Sequence, residues 1–287
     1  MSEHFADIEA RIDAVHKLEA VITAMRGIAA SRVQESQHHL DSIRTFAATI
    51  GAAIGQALAF LPRVEPDAGG TEAPYRHAVL AFAAEQGFAG AFSDKVFDAL
   101  APLVEPGCEL LLIGDRGLSA ADRRGLSVAW SAPMISHPDQ ATALASRLSE
   151  TIFRRAAETP LTRVSLVHAV PGDTGLMSVV VKDLVPFDYG RFPLSRTAVP
   201  PLITLPPDRL LRHLVEEYVF AELSEAIVLS FAAENEARMR AMIRAQENTG
   251  DTLDTLTALS RQVRQQDITE EIVELATASL TQGGSDA

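Results

Sequence analysis

After Asp208 no proline occurs to the end of the chain. Proline inside a helix removes a backbone hydrogen bond and clashes with the preceding turn, so a stretch this long without one is free to stay helical. The pair Pro206-Pro207 ends whatever precedes it, and Asp208 is suited to an N-cap, its carboxylate facing the free N–H groups and the positive helix end. Apolar residues then return at threes and fours: Leu211, Leu214 and Tyr218, then Met239 and Met242, and later Leu253, Leu256, Val263, Ile268 and Ile272. The pattern predicts one helix, or two nearly joined, over 208–282, a span of roughly 110 Å at about 1.5 Å per residue. One small domain cannot cover such a stripe. It needs a partner helix.

The partner lies at the other end of the chain. From Phe5 to about Leu61 the sequence reads as helix, with apolar residues at positions 5, 8, 12, 15, 18, 22, 25 and 28, the spacing of a coiled-coil seam with a local stutter. Asp7, Arg11, Asp13, Lys17 and Glu19 take the other faces, and the stripe resumes at Leu40, Ile43, Ala47, Ile50, Ile54 and Leu58. This helix is roughly 85 Å long. Two long terminal helices with matching stripes predict an antiparallel coiled coil. The run from Phe46 to Leu61 has only Thr49 and Gln56 as clearly polar residues, yet it is shorter than the ~20 residues a membrane span requires and is closed by Pro62 and Arg63. Gly51 and Gly55 within it have the small-xxx-small spacing that lets two helix backbones approach. It reads as a helix end packed on a neighbour, and no membrane span is expected.

Between the helices the character changes. The first helix takes residues 1–62, and a polar Gly- and Pro-containing linker takes 63–74. An α/β domain over 75–186 follows. Within it, Arg76–Ala83, Cys108–Gly114 and Leu126–Trp130 read as buried strands, Phe92–Leu100 as a short helix, and Pro138–Ala157 as a helix opening at Pro-Asp. Arg163–Val170 and Leu176–Leu184 read as two strands joined by a hairpin-type connection at Pro171–Gly175. Strands alternating with helices predict a mainly parallel sheet covered on both faces, Rossmann-like, with its last strand pair antiparallel at an edge. A Pro-rich return over 187–207, the second long helix over 208–282 and a tail over 283–287 complete the chain.

Charge and composition exclude several functions. The net charge of −13 and pI of 5.0 argue against nucleic acid, which requires a basic face. The single cysteine, Cys108, excludes an internal disulfide and fits a reducing compartment; opening an apolar strand, it reads as a small buried hydrophobe. The first ten residues are acidic and amphipathic, unlike a signal or transit peptide.

No G-x-x-x-x-G-K-[ST] occurs, so the lysine and backbone cradle of a P-loop are missing. Gly114-Asp-Arg-Gly117 follows a strand but lacks a third glycine, and Glu85–Gly90 stands where α/β sheets bind ligands, although turn geometry alone explains its glycines. His38 and His39 point about 100° apart on a helix and cannot share a metal. His4, His77, His137, His168 and His213 are scattered without ligand spacing. The expectation is no catalytic, metal or cofactor site, and an interaction or mechanical role.

Several stretches together resemble one family. Ile12-Asp-Ala-Val15, Ile22-Thr-Ala-Met25 and Ile28-Ala-Ala-Ser-Arg32 are similar to the opening helix of the gamma subunit of F-type ATP synthases, with its R-I-x-S-V, I-T-x-A-M and V-A-A-x-K pattern. Glu85–Gly90 stands where that family has [ST]-D-x-G-L-C-G, and Ile113–Gly117 where it has a G-x-K/R-G turn. Glu234–Met242, Glu247-Asn248 and Leu253–Leu256 follow, and Arg264–Glu274 resembles its closing R-Q-x-x-I-T-x-E-I-x-E. Ala89 replaces the cysteine, Glu19 and Leu18 stand in a segment usually rich in lysine, and Gln266 and Asp267 stand where small residues are usual. These departures suggest a divergent branch, such as the alternate F-type ATPases.

The resemblance implies a non-catalytic central-stalk rotor. A single copy would turn inside a ring of three alpha and three beta subunits, touch the epsilon subunit and the ring of c subunits, and couple ion flow, expected to be protons, to ATP synthesis or hydrolysis. It would sit peripherally at the cytoplasmic face of the cell inner membrane. It implies that Met25 and Arg26 touch catalytic-subunit loops and that Arg264, Gln265, Thr269 and Glu271 form the facing segment on the other helix. It further suggests that this acidic rotor meets a more basic sleeve. Read from the residues alone, an α/β ligand-binding or enzyme domain with a coiled-coil arm, or an oligomerising scaffold, remains the alternative.

Overall fold

A computed structural model describes residues 3–61, 76–158, 160–172, 177–194 and 201–283. The expected linker at 63–74, the turn at 173–175, the middle of the Pro-rich return and the tail beyond Gly283 lie outside the described residues.

The elements, in chain order, are α1 (Glu3–Ala57), β1 (His77–Phe82), α2 (Phe92–Leu100), β2 (Glu109–Ile113), α3 (Asp115–Arg123), β3 (Val128–Ala132), α4 (Ala141–Glu158), β4 (Arg163–Val170), β5 (Ser178–Val185) and α5 (Pro207–Gly283). Both long helices are therefore continuous. The α5 start departs from expectation: Pro207 is its first residue and Asp208 lies within the first turn, with Leu210 N–H donating to the Pro206 carbonyl. Proline is favoured at that first position because its missing N–H has no helical partner there and its φ is already helical.

Contacts divide the chain into two units, Met1–Ile28 with Arg240–Ala287, and Ala29–Met239. The second unit contains the sheet, in the order β3-β2-β1-β4-β5. The β3–β2, β2–β1 and β1–β4 pairs are parallel, and β5 lies antiparallel on β4 at the edge. Side chains alternate across the strands and fill two cores. Ala78, Leu80 and Phe82 point to the face covered by α4, α1 and α5, where Leu148, Ile152, Leu40, Leu223 and Ile227 meet them. Val79 and Ala81 point to the face covered by α2 and α3, with Phe92, Phe97, Leu100 and Ala121. Buried on both faces, β1 must be continuously apolar, and its run His-Ala-Val-Leu-Ala-Phe is apolar throughout after His77.

Two elements differ from the sequence reading. Residues 115–123 form α3, where only a turn was expected. Two Asp, a Ser and Gly117 give it poor intrinsic propensity, and packing supplies what propensity does not: Gly117 lies so close to β1 that a Cβ there would stand 2.4 Å from the Ala83 Cβ. The third strand is shifted from 126–130 to 128–132, because Gly125 turns at φ +68° and β3 takes its register from β2.

In the same unit α1 and α5 run antiparallel, with Arg44 Nε 2.8 Å from Glu225 Oε1 and Ile54 and Ala57 buried in a cluster with Leu211 and Phe192. Gly51 does not admit a helix backbone here. Its missing side chain leaves room for the Phe192 ring, whose Cε1 would lie 3.2 Å from a Cβ at that position. By length and composition α1 contains one window apolar enough to cross a membrane, and the Ile54–Ala57 end of it packs on protein along one side.

Candidate partner interface

In the first unit the two helices pair antiparallel. Phe5, Ile8 and Ile12 pack on Val263, and Arg26 Nη1 donates to Gln246 Oε1 at 2.7 Å, so rising numbers on α1 meet falling numbers on α5. Ile22 and Met242 are buried, while Leu18 and Ile28 are exposed although both belong to the expected seam. The seven steps from Phe5 to Ile28 average about 3.3 residues, less than the 3.6 of a straight helix; two consecutive three-residue steps carry Leu18 and again Ile28 off the seam, and the four-residue step between brings Ile22 back. Ile268 and Ile272 likewise point outward, with exposures of 50 % and 60 %, followed by Val273 and Leu275.

The implied contact residues separate into two bands. Met25 and Arg26 are half-buried, and the Arg26 guanidinium is engaged by Gln246. Arg264, Gln265, Thr269 and Glu271 do not face them, contrary to expectation. The residue opposite Arg26 is Gln246, and Arg264 lies 18 positions further along α5, about 27 Å at 1.5 Å per residue. Arg264 and Glu271 line an open groove of 790 Å³ with Phe5, Glu9 and Ile268. Gln265 and Thr269 line a separate one, and the Thr269 hydroxyl is used internally, donating to the Gln265 carbonyl at 2.8 Å. Ile268 and Ile272 share the three-and-four spacing of the seam, so spacing alone does not separate them from seam residues.

In the second unit the loop 85–90 joins β1 to α2 and is held from both sides. The Glu85 carboxylate accepts from Asp115 N–H (3.1 Å) and Met134 N–H (2.7 Å). It therefore occupies the N-terminus of α3, the place where a phosphate would otherwise be held. On the other side the Glu234 carboxylate accepts from the N–H groups of Glu85 (3.2 Å) and Gln86 (3.1 Å). Arg238 pairs with Glu234, donates to the Gly87 carbonyl at 3.2 Å and reaches the Asn235 side-chain oxygen at 2.9 Å. The loop thus presents Phe88, at φ +62° and largely exposed, on a tightly bonded frame. Gly114, at φ +105°, lies against β1, where a Cβ would stand 2.3 Å from the Ala83 carbonyl oxygen. The sequence presents both motifs, 85–90 and 234–242, but no local pattern in it signals that they meet.

A second polar group joins β1, β4 and β5. His77 Nε2 is 2.7 Å from Ser165 Oγ, and the Ser165 hydroxyl donates to Asp183 Oδ1 at 2.6 Å. The serine stands between the histidine and the acid, with its proton donated to Asp183, an order unlike a catalytic triad, in which the histidine stands between the other two. Burial, followed by the Arg163 charge, holds the His77 imidazole below its ordinary range. Arg163 and Ser165 hold the Asp183 carboxyl low against the opposing effect of its burial.

The whole-chain comparisons agree with the long helices. The sequence model of the ATP synthase family matches residues 4–279. The chain is 28% identical to the ATP synthase gamma chain of Streptomyces coelicolor over 92% of each chain. It is also 28% identical to that of Granulibacter bethesdensis, over 93% of this chain and 96% of the relative. In fold it is similar to a chain of the Euglena gracilis mitochondrial ATP synthase in rotational state 3, with a TM-score of 0.66 at 11% identity, covering 99% of this chain and 96% of that one. With its two continuous terminal helices and inserted α/β sheet, the chain belongs to the ATP synthase family.

Proposed function

We infer that this chain is the central-stalk rotor subunit of an F-type ATP synthase, coupling ion flow, with protons as the ion, to ATP synthesis or hydrolysis, and that it is not itself a catalyst. The observation that carries this is the set of outward apolar residues Ile268, Ile272, Val273 and Leu275 on α5 beyond its seam contact at Val263. An exposed run of that kind marks a surface completed by another protein. The partner is a ring of three alpha and three beta subunits around a single copy, with Met25, Arg26, Arg264, Gln265, Thr269 and Glu271 in or beside the contact bands. Each face of an asymmetric rotor favours one conformation of a surrounding subunit, so turning it shifts the affinity of each site in sequence.

The epsilon subunit and the c-ring are partners of the second unit, in which Leu194 and Leu202 are exposed. The complex lies at the cytoplasmic face of the inner membrane. The acids Glu270, Glu271 and Glu274 on the exposed end of α5 support a basic lining in the ring.

Co-purification of the chain with alpha and beta subunits tests this reading. One copy per three of each, with ATPase activity lost when the chain is cut before Gln265, is the expected result. A stable chain that ignores those partners and binds nucleotide by itself would overturn it. Full coupled activity in a hybrid with an ordinary F-type ring would overturn the dedicated basic lining.

A further inference from the structure

A rotor helix must not slip against the domain it carries, and the apolar contacts between α5 and the sheet are non-directional. Two buried carboxylates on α5 are directional. Glu222, 8 % exposed, pairs with Lys182 of β5 and accepts from Arg191 Nη2 at 3.0 Å, in the segment that returns from β5. Arg191 also donates to the Tyr218 hydroxyl at 3.1 Å. Glu234, 3 % exposed, takes the two N–H groups of the loop after β1, while Arg238 closes the same loop through its Gly87 carbonyl.

The two carboxylates are twelve residues apart, which sets them about 18 Å apart along α5 and about 120° apart around it. They also hold different parts of the sheet, one its edge strand and the other its central strand. A single grip leaves a pivot. Two grips at different heights and azimuths leave neither rotation nor sliding, since either motion strands a buried charge.

We propose that Glu222 and Glu234, with Lys182, Arg191 and Arg238, are the positioning residues that lock α5 rotationally to the α/β domain and so transmit torque between them. This rests on the rotor reading and adds to it the place where twist passes within the second unit. When the lock is loosened, the ring still hydrolyses ATP around α5, but the α/β domain lags and the ion pumped per ATP falls.

The experiment uses the whole complex in membrane vesicles, with Glu222→Gln, Glu234→Gln and the double variant. ATP hydrolysis and ATP-driven ion uptake are read together, and the amount of this chain per complex is measured. The expected result is hydrolysis within about twofold of wild type, with uptake per ATP lowered in each single variant and at least threefold in the double. A probe on the α/β domain of the stalled complex should show wider angular fluctuation, which a merely stabilising role would not produce. An unchanged uptake-to-hydrolysis ratio and unchanged fluctuation in the double variant would overturn the proposal, as would an uptake loss that only follows loss of the chain from the complex. If the wild-type chain itself supported no uptake, the rotor reading would fail instead.

Discussion

The two units solve the same problem, burying one stripe of a long helix, in opposite ways. In the second unit α5 is enclosed almost continuously from Val219 to Asn235, by the sheet, by α1 and by buried charge pairs. In the first unit the same helix has a thin seam of Phe5, Ile8, Ile22, Met242 and Val263 and leaves apolar residues outside it. The difference teaches that the second unit buries its stretch of α5 within its own fold, whereas the first leaves apolar surface of α5 unburied, the surface that the proposed ring would cover.

The largest break of this comparison is removal of 265–287. Assembled ATPase activity should fall more than about tenfold, a loss of roughly 1.4 kcal/mol or more in transition-state terms, while the main thermal transition of the isolated chain, which reports the second unit, stays in place. A shifted transition would show that the end of α5 supports the body after all. Next comes Phe82→Ala, which empties the central strand at a fully buried position and should cost about 3–5 kcal/mol, read by chemical denaturation. Gly114→Ala should cost about 2–3 kcal/mol, since a Cβ there meets the Ala83 carbonyl and φ is positive. A loss below about 0.5 kcal/mol would mean that the β1 end gives way freely.

Acidification should separate the units more gently. Burial holds both His77 and His168 below the ordinary 6.5, so the unfolded chain binds more protons than the folded one just below that value. Their contribution to stability is fully present above pH 6.5 and is lost as the pH falls through the depressed folded-state values. Both lie in the second unit. Its unfolding midpoint in denaturant should drop between pH 7 and 5, and His168→Gln should flatten that drop; an equal slope in the variant would remove His168 as a cause. The smallest effect on the isolated chain is Ile272→Ser, within about 0.5 kcal/mol because the side chain is exposed, although its binding to the ring should weaken.

Much of this architecture was legible because periodicity and punctuation are local. The bounds of α2 and β4 coincide with the sequence reading, and the proline-free tract from Asp208 is one helix. The α3 helix was hidden because Asp115, Ser119 and Gly117 speak against a helix and only the approach to Ala83 makes it stable. Of the interface, the sequence supplied the segments but not their partners. Arg264 was expected opposite Met25 and Arg26, and the antiparallel register puts Gln246 there.

By itself the sequence determined two long terminal helices, an inserted parallel sheet with an antiparallel edge, and an acidic surface, because these follow from residue spacing, proline placement and charge. The tertiary structure alone decided which apolar residues of the long helices face inward, since a few tenths of a residue per repeat carries Leu18 and Ile28 out of the seam. It alone joined Glu234 and Arg238 to the loop at Glu85–Gly87. Contacts between residues some 150 positions apart leave no local pattern; they exist because burying a charge requires a partner, and only the fold brings that partner near.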